Sequence, residues 1–205
     1  LAACDGGTPV THATPLGLDD LGVEVDAGAS RGYFFTDKGD AYLYGEAAGP
    51  QAVSWQGFNV RGFNFVDDWH WSTAAAGGAF SPLGWGHFAG ATVYPDRAVR
   101  RYVGGLSETI TVVEGKRALL VEPAGAGALL FRPVLADSTK ASSYQVQLLA
   151  GGIAIARVNH LTQNGPNDWP VWLVAKAAGA EGASAGVLVD GGGLKPKLFA
   201  PASLA

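Results

Sequence analysis

Between Tyr33 and Tyr102 large apolar and polar residues alternate in short runs, the period of half-buried β-strands. The densest run is Trp55-Gln56-Gly57-Phe58-Asn59-Val60-Arg61-Gly62-Phe63-Asn64-Phe65-Val66-Asp67-Asp68-Trp69-His70-Trp71. Side chains alternate faces along a strand. The pattern therefore predicts one face made of Phe63, Phe65, Asp67, Trp69 and Trp71, and an opposite face made of Asn64, Val66, Asp68 and His70. Sixteen of the 21 aromatic residues lie between Tyr33 and Tyr102, so this part of the chain is expected to supply most of the core.

Turn signals separate the runs. Gly32-Tyr33-Phe34-Phe35-Thr36 and Ala41-Tyr42-Leu43-Tyr44-Gly45 flank Asp37-Lys38-Gly39-Asp40 as a hairpin. Ala91-Thr92-Val93-Tyr94 stops at Pro95. Glu108-Thr109-Ile110-Thr111-Val112-Val113 meets Arg117-Ala118-Leu119-Leu120-Val121-Glu122 across Glu114-Gly115-Lys116. Ala128-Leu129-Leu130-Phe131-Arg132 reads as another strand. Runs 144–149 and 153–158 flank Gly151-Gly152, whose two glycines tolerate the positive φ of a tight turn. Runs 169–175 and 187–189 complete about a dozen strands. Residues 176–185 are the sole short helical candidate, weakened by two glycines. No fixed-period repeat appears, which argues against a propeller. The expected class is all-β: a large antiparallel β-sandwich with almost no helix.

Composition narrows the picture. With 205 residues, 48% of them hydrophobic and 16% charged, the chain is globular and long enough for one large β-domain. A net charge of −4 with no cluster of Lys and Arg excludes a nucleic-acid surface; the closest basic pair is Arg100-Arg101. No apolar run approaches the 18 or so residues of a membrane-spanning helix. One cysteine rules out an internal disulfide framework.

That cysteine stands in Leu1-Ala2-Ala3-Cys4, which resembles the end of a bacterial lipoprotein signal peptide. The resemblance implies a small-residue cleavage site and a thiol at Cys4 that carries acyl chains. The Gly-, Pro-, Thr- and Asp-rich stretch after it reads as a tether. The expected organisation is a lipobox remnant and tether over 1–22 and a single sandwich domain over 23–205. The protein is then exported to the bacterial periplasm or cell surface, touching the membrane through its lipid anchor only.

Three stretches carry a second resemblance: Gly32-Tyr33-Phe34-Phe35 through Tyr44-Gly45-Glu46; Trp55-Gln56-Gly57-Phe58; and Tyr94-Pro95 through Arg100-Arg101-Tyr102, followed by Glu108 and the strand Ala118-Leu119-Leu120-Val121-Glu122. In their order they resemble the N-terminal domain of two-domain glycoside hydrolases of the glycogen-debranching (amylo-α-1,6-glucosidase) and bacterial glucoamylase type. The resemblance implies a β-super-sandwich, an α-glucan-like carbohydrate as ligand, and a separate C-terminal (α/α)6 catalytic barrel as partner. The family's catalytic motifs have no matching positions here, so no catalytic residue carries over. The alternative is a stand-alone surface lipoprotein sandwich with a carbohydrate-binding or assembly role.

The residues themselves give no catalytic constellation. Glycoside hydrolysis usually needs two carboxylates about 5–10 Å apart across the sugar. Asp67 and Asp68 are adjacent and point to opposite faces of a regular strand, unless a bulge re-aims one of them. His12, His70, His87 and His160 have no metal-ligand spacing. Ser81 lies near His87 without a strand–elbow–helix setting. Gly125-Ala126-Gly127 and Gly191-Gly192-Gly193 lack the following helix and Lys of a phosphate loop. No cofactor or metal is expected. The candidate carbohydrate-binding residues are Trp85, between Gly84 and Gly86, and Trp55, beside Ser54 and Gln56, with Asn64, Asp68 and His70 as hydrogen-bonding neighbours.

Overall fold

The computed structural model describes residues 17–29, 31–47, 56–75, 78–125, 128–135, 144–150, 152–157, 160–162, 165–167, 171–176, 184–190 and 193–200. Trp55, Cys4, His12 and the first part of the expected tether lie outside them. The described residues form strands β1 (Val23–Asp26), β2 (Gly32–Thr36), β3 (Ala41–Glu46), β4 (Gly57–Val60), β5 (Phe63–Ala74), β6 (Ser81–Pro82), β7 (Phe88–Val93), β8 (Ala98–Tyr102) and β9 (Ser107–Val113). They continue as β10 (Ala118–Ala124), β11 (Ala128–Leu135), β12 (Tyr144–Leu149), β13 (Gly152–Arg157), β14 (His160–Thr162), β15 (Gly165–Asn167), β16 (Val171–Lys176), β17 (Ser184–Asp190) and β18 (Gly193–Ala200). Two short 3-10 turns, Leu18–Leu21 and Trp85–His87, are the sole helical elements among the described residues.

Every strand pairing among the described residues is antiparallel, and the sheets stay open rather than closing into a barrel. One sheet runs β1-β7-β8-β9-β10. A larger one runs β17-β18-β11-β5-β4-β3-β2, with β6 on β5. The two face each other across one core, in which Val25, Phe88, Tyr102 and Ile110 of the first meet Tyr33, Leu43, Trp69 and Trp71 of the second. This is the antiparallel β-sandwich that the period-2 pattern predicts. A third sheet, β12-β13-β16, buries β13 on both faces, from Ile153 through Ala156, and sends Leu173 to the main core.

Alternation explains most strands. β3 buries Ala41, Leu43 and Gly45, β8 buries Ala98, Arg100 and Tyr102, and β9 buries Glu108, Ile110 and Val112. Burying an aliphatic side chain such as Leu43 or Ile110 stabilises the fold by about 1.5–3 kcal/mol. The β4–β5 turn has two left-handed residues, Arg61 at φ 52° and Gly62 at φ 77°, the backbone of a tight two-residue hairpin.

β5 departs from simple alternation. Val66 and Trp69 both face the core although they are three positions apart. Two register irregularities account for this. Opposite β4, Phe58 pairs with Val66 but Asn59 pairs with Asn64. Opposite β11, Val134 pairs with Asp68 but Leu135 pairs with Val66, which leaves Asp67 as an extra residue. An extra residue switches which face the following side chains occupy. Gly57, at φ 93°, lies against this irregular stretch; a Cβ there would sit 2.0 Å from the Val66 carbonyl oxygen.

Two hairpin turns tie the sheets together at one end. The Gly115 N–H donates to the Asp37 carbonyl at 2.8 Å, and the Arg117 N–H donates to the Asp37 carboxylate at 3.2 Å. Asp40 accepts from Arg117 Nε at 2.7 Å and from Arg61 Nε at 2.6 Å. The β2–β3 turn of the larger sheet is thereby fastened to the β9–β10 turn of the smaller one.

Some boundaries differ from the sequence expectation. Within the expected tether, Leu18–Leu21 is a 3-10 turn, Gly17 N–H donates to Asp20 at 2.8 Å, and Asp19 pairs with Arg97. Leu149 pairs with Gly152, so Gly152 belongs to the strand and not to the turn. The helical candidate at 176–185 has strand at both described ends, Lys176 in β16 and Ser184 in β17. β18 escapes the alternation test because Lys195, Pro196 and Lys197 interrupt its apolar pattern.

Candidate functional site

The strongest concentration of chemistry lies between the sheets, at Glu108. β8 and β9 pair Arg100 directly with Glu108, and both point inward, since Ala98 and Tyr102 flank Arg100 in the buried row and Ile110 follows Glu108. Both side chains are fully buried. Glu108 Oε2 accepts the indole N–H of Trp69 at 2.8 Å and that of Trp71 at 2.6 Å. Glu108 Oε1 accepts the hydroxyl of Tyr102 at 2.6 Å and lies 3.3 Å from Arg100 Nη1. Three donors and one cation thus converge on a single carboxylate, whose two oxygens offer about four acceptor sites. The irregular register of β5 makes this convergence possible, because it brings both indoles to the face opposite β9 while Val66 stays in the core.

The Arg100 guanidinium also lies 5.6 Å from the Phe88 ring centroid and 6.0 Å from that of Tyr102. Burial opposes its charge, but Glu108, Tyr102, Tyr33 and Asp68 together outweigh burial and hold Arg100 protonated more firmly than an ordinary arginine. Burial and then the Glu108 carboxylate push the Tyr102 hydroxyl well above the usual phenol range, so it stays a donor. Asp68 is buried as well, and its carboxylate accepts the Trp69 backbone N–H at 2.8 Å.

Of the predicted carbohydrate-binding residues, the side chains of Asn64, Asp68 and His70 are described. Asp68 is in the interior and not on the open face that alternation assigns to it; the extra residue beside it is the reason. Asn64 is half-buried, and its amide donates to the Gln56 carbonyl at 2.9 Å and to Asp67 at 2.7 Å. His70 is half-buried and pairs in register with Arg132. Burial first, then the charges of Arg132 and Arg100, lowers its pKa and keeps it neutral near pH 7. Trp85 opens the 3-10 turn before β7, between the exposed Gly84 and Gly86. Trp55 and Cys4 lie outside the described residues. Trp69 and Trp71 are core, as the face split predicts.

The chain matches no protein-family model, no curated protein and no solved structure. The reading of its chemistry therefore rests on the residues. Sequence reasoning sets aside Arg100-Arg101 as an isolated basic pair and does not single out Glu108 as a site. A signal for both is present: each stands in a row of inward positions otherwise filled by Ala98, Tyr102, Ile110 and Val112, where a charged residue requires a partner. Among the described residues no cluster of His, Cys, Asp and Glu is arranged to hold a metal ion.

Proposed function

We propose that this chain is a non-catalytic β-sandwich of an exported carbohydrate-active protein, acting beside a separate (α/α)6 catalytic barrel on an α-glucan-like substrate. The observation that carries this reading is the state of Glu108. It gathers aromatic and cationic partners, yet it is sealed between the sheets and engaged by Trp69, Trp71, Tyr102 and Arg100. A group that never meets solvent cannot transfer a proton to a sugar, so this constellation acts as architecture. The antiparallel two-sheet body and the order of its aromatic strands support the same reading.

The coding sequence downstream of Ala205 tests it. An in-frame helical region of several hundred residues with paired carboxylates is expected, and the purified chain should release no reducing sugar from glycogen or maltooligosaccharides. A stop codon directly after Ala205, or hydrolysis by the purified chain, overturns the proposal.

A further inference from the structure

The outer face of the β2–β3 hairpin carries a row of aromatic rings. β2 and β3 turn Tyr33, Phe35, Ala41 and Leu43 into the core. The alternate positions, Gly32, Phe34, Thr36, Tyr42, Tyr44 and Glu46, therefore face outward. Phe34 pairs with Tyr44, Thr36 with Tyr42, and Gly32 with Glu46. Phe34 is 59% exposed, a large apolar cost for a side chain at the end of a sheet. Its ring stacks on that of Tyr42, with centroids 5.3 Å apart and planes at 24°. On its other side the Tyr44 ring reaches over Gly32. A Cβ at Gly32 would lie 3.2 Å from Tyr44 Cε2 and 3.4 Å from its hydroxyl oxygen. Gly32 thus leaves the space in which the Tyr44 ring lies against β2, with Phe34 and Tyr42 alongside.

We infer that Phe34, Tyr42 and Tyr44 form a binding platform for the pyranose rings of a neutral polysaccharide. The inference rests on the carbohydrate reading above and gives it a location. The apolar part of this surface is made of rings alone, with no Leu, Ile, Val or Met at the outward positions of either strand. Its flanks, Thr36 and Glu46, carry a hydroxyl and a carboxylate. A pyranose has that complementarity: C–H faces that lie on aromatic rings, and a polar rim of hydroxyls that meets the polar flanks of the row. A protein partner fits less well. Three aromatic side chains carry about 150–250 Å² each, so even wholly exposed they fall short of the roughly 800 Å² per partner of a stable protein interface. A short run of sugar rings needs far less.

Native gel electrophoresis of the whole chain, through gels containing glycogen, amylopectin or xylan, tests the platform. The wild type should be retarded by at least one of them. Phe34→Ala and Tyr44→Ala should each weaken retention about tenfold, while Phe34→Trp retains it. Gly32→Val should also weaken it, because its side chain displaces the Tyr44 ring without removing any aromatic group. Far-UV circular dichroism and the urea midpoint of Phe34→Ala should stay at wild-type values. Retention by the wild type that survives all three weakening variants overturns the platform and leaves the α-glucan reading intact. A wild type that no polysaccharide retards overturns the platform too, whatever the coding sequence after Ala205 contains. Loss of wild-type oligomeric mass in Phe34→Ala, without any polysaccharide retention, assigns the patch to a protein partner and likewise overturns it.

Discussion

Arg100 and Glu108 face one another across β8 and β9, 3.3 Å apart and wholly buried, and Glu108 binds both indoles of the opposing sheet. The pair therefore joins the two layers of the sandwich through a single carboxylate. Removing one member leaves the other charge buried without its counterion, which costs about 3–5 kcal/mol. Urea unfolding at pH 7 should show a loss of that size for Glu108→Ala and for Arg100→Met. Glu108→Gln should lose less, because its carbonyl still accepts from an indole N–H. The double change Arg100→Met with Glu108→Leu should cost less than the sum of the single changes. Losses below about 1 kcal/mol for both single variants contradict the arrangement.

Gly57 supplies a second prediction. Its φ of 93° and the 2.0 Å separation between an added Cβ and the Val66 carbonyl oxygen make Gly57→Ala both strained and sterically blocked. The expected loss is about 3 kcal/mol or more, in the class of overpacked core positions. Gly62 is the control. It has a φ of 77°, but a Cβ added there would meet nothing within 4 Å, so Gly62→Ala should cost about 1–2 kcal/mol. Equal losses at the two sites would remove the close approach as the cause.

The turn clamp predicts a pH dependence. Backbone N–H groups of Ala41, Gly39 and Arg117 hold the Asp37 carboxyl below the usual carboxylate range. Arg117 and then Arg61 do the same for Asp40. A carboxyl whose folded pKa is depressed stabilises the fold above its unfolded pKa of about 3.9, and that contribution is lost as pH falls through the lower folded value. Thermal unfolding midpoints should be flat from about pH 7 to pH 5 on account of these two groups and drop below about pH 4. Asp37→Asn should lower the midpoint at pH 7 and flatten the acid limb. An acid limb unchanged in Asp37→Asn and in Asp40→Asn would place the transition elsewhere.

Anchoring through Cys4 is a proposal from the resemblance of Leu1-Ala2-Ala3-Cys4 to a lipobox. If Cys4 is lipidated, the protein expressed in bacteria should partition with membranes, and Cys4→Ser should release it to the soluble fraction. A wild-type protein found soluble with a titratable Cys4 thiol removes the anchor.

Several features are legible in the chain alone. Hairpins joined by short polar turns, such as β2–β3 and β9–β10, follow from local chemistry: two alternating runs and a few residues that favour a turn. The inward rows of β3, β8 and β9 are equally readable, because alternation within one regular strand needs no knowledge of its partner. Trp69 and Trp71 share a face because they are two positions apart on the part of β5 that follows its irregular stretch. Asp68 does not follow from alternation, since its face depends on the register against β4 and β11, strands that the sequence does not align with β5. β18 is hidden because Pro196 and its lysines obscure a pattern that pairing with β17 and β11 completes.

The β-class, the hairpins with their inner and outer rows, and the aromatic core arise from periodicity and turn preference over a few residues. That Glu108 meets Trp69 and Trp71, and that Asp68 is interior, came only with the packing of the sheets. Those outcomes depend on register, on an extra residue in β5 and on which sheet lies opposite. Each is a long-range pairing whose free energy is gained only when distant strands come together.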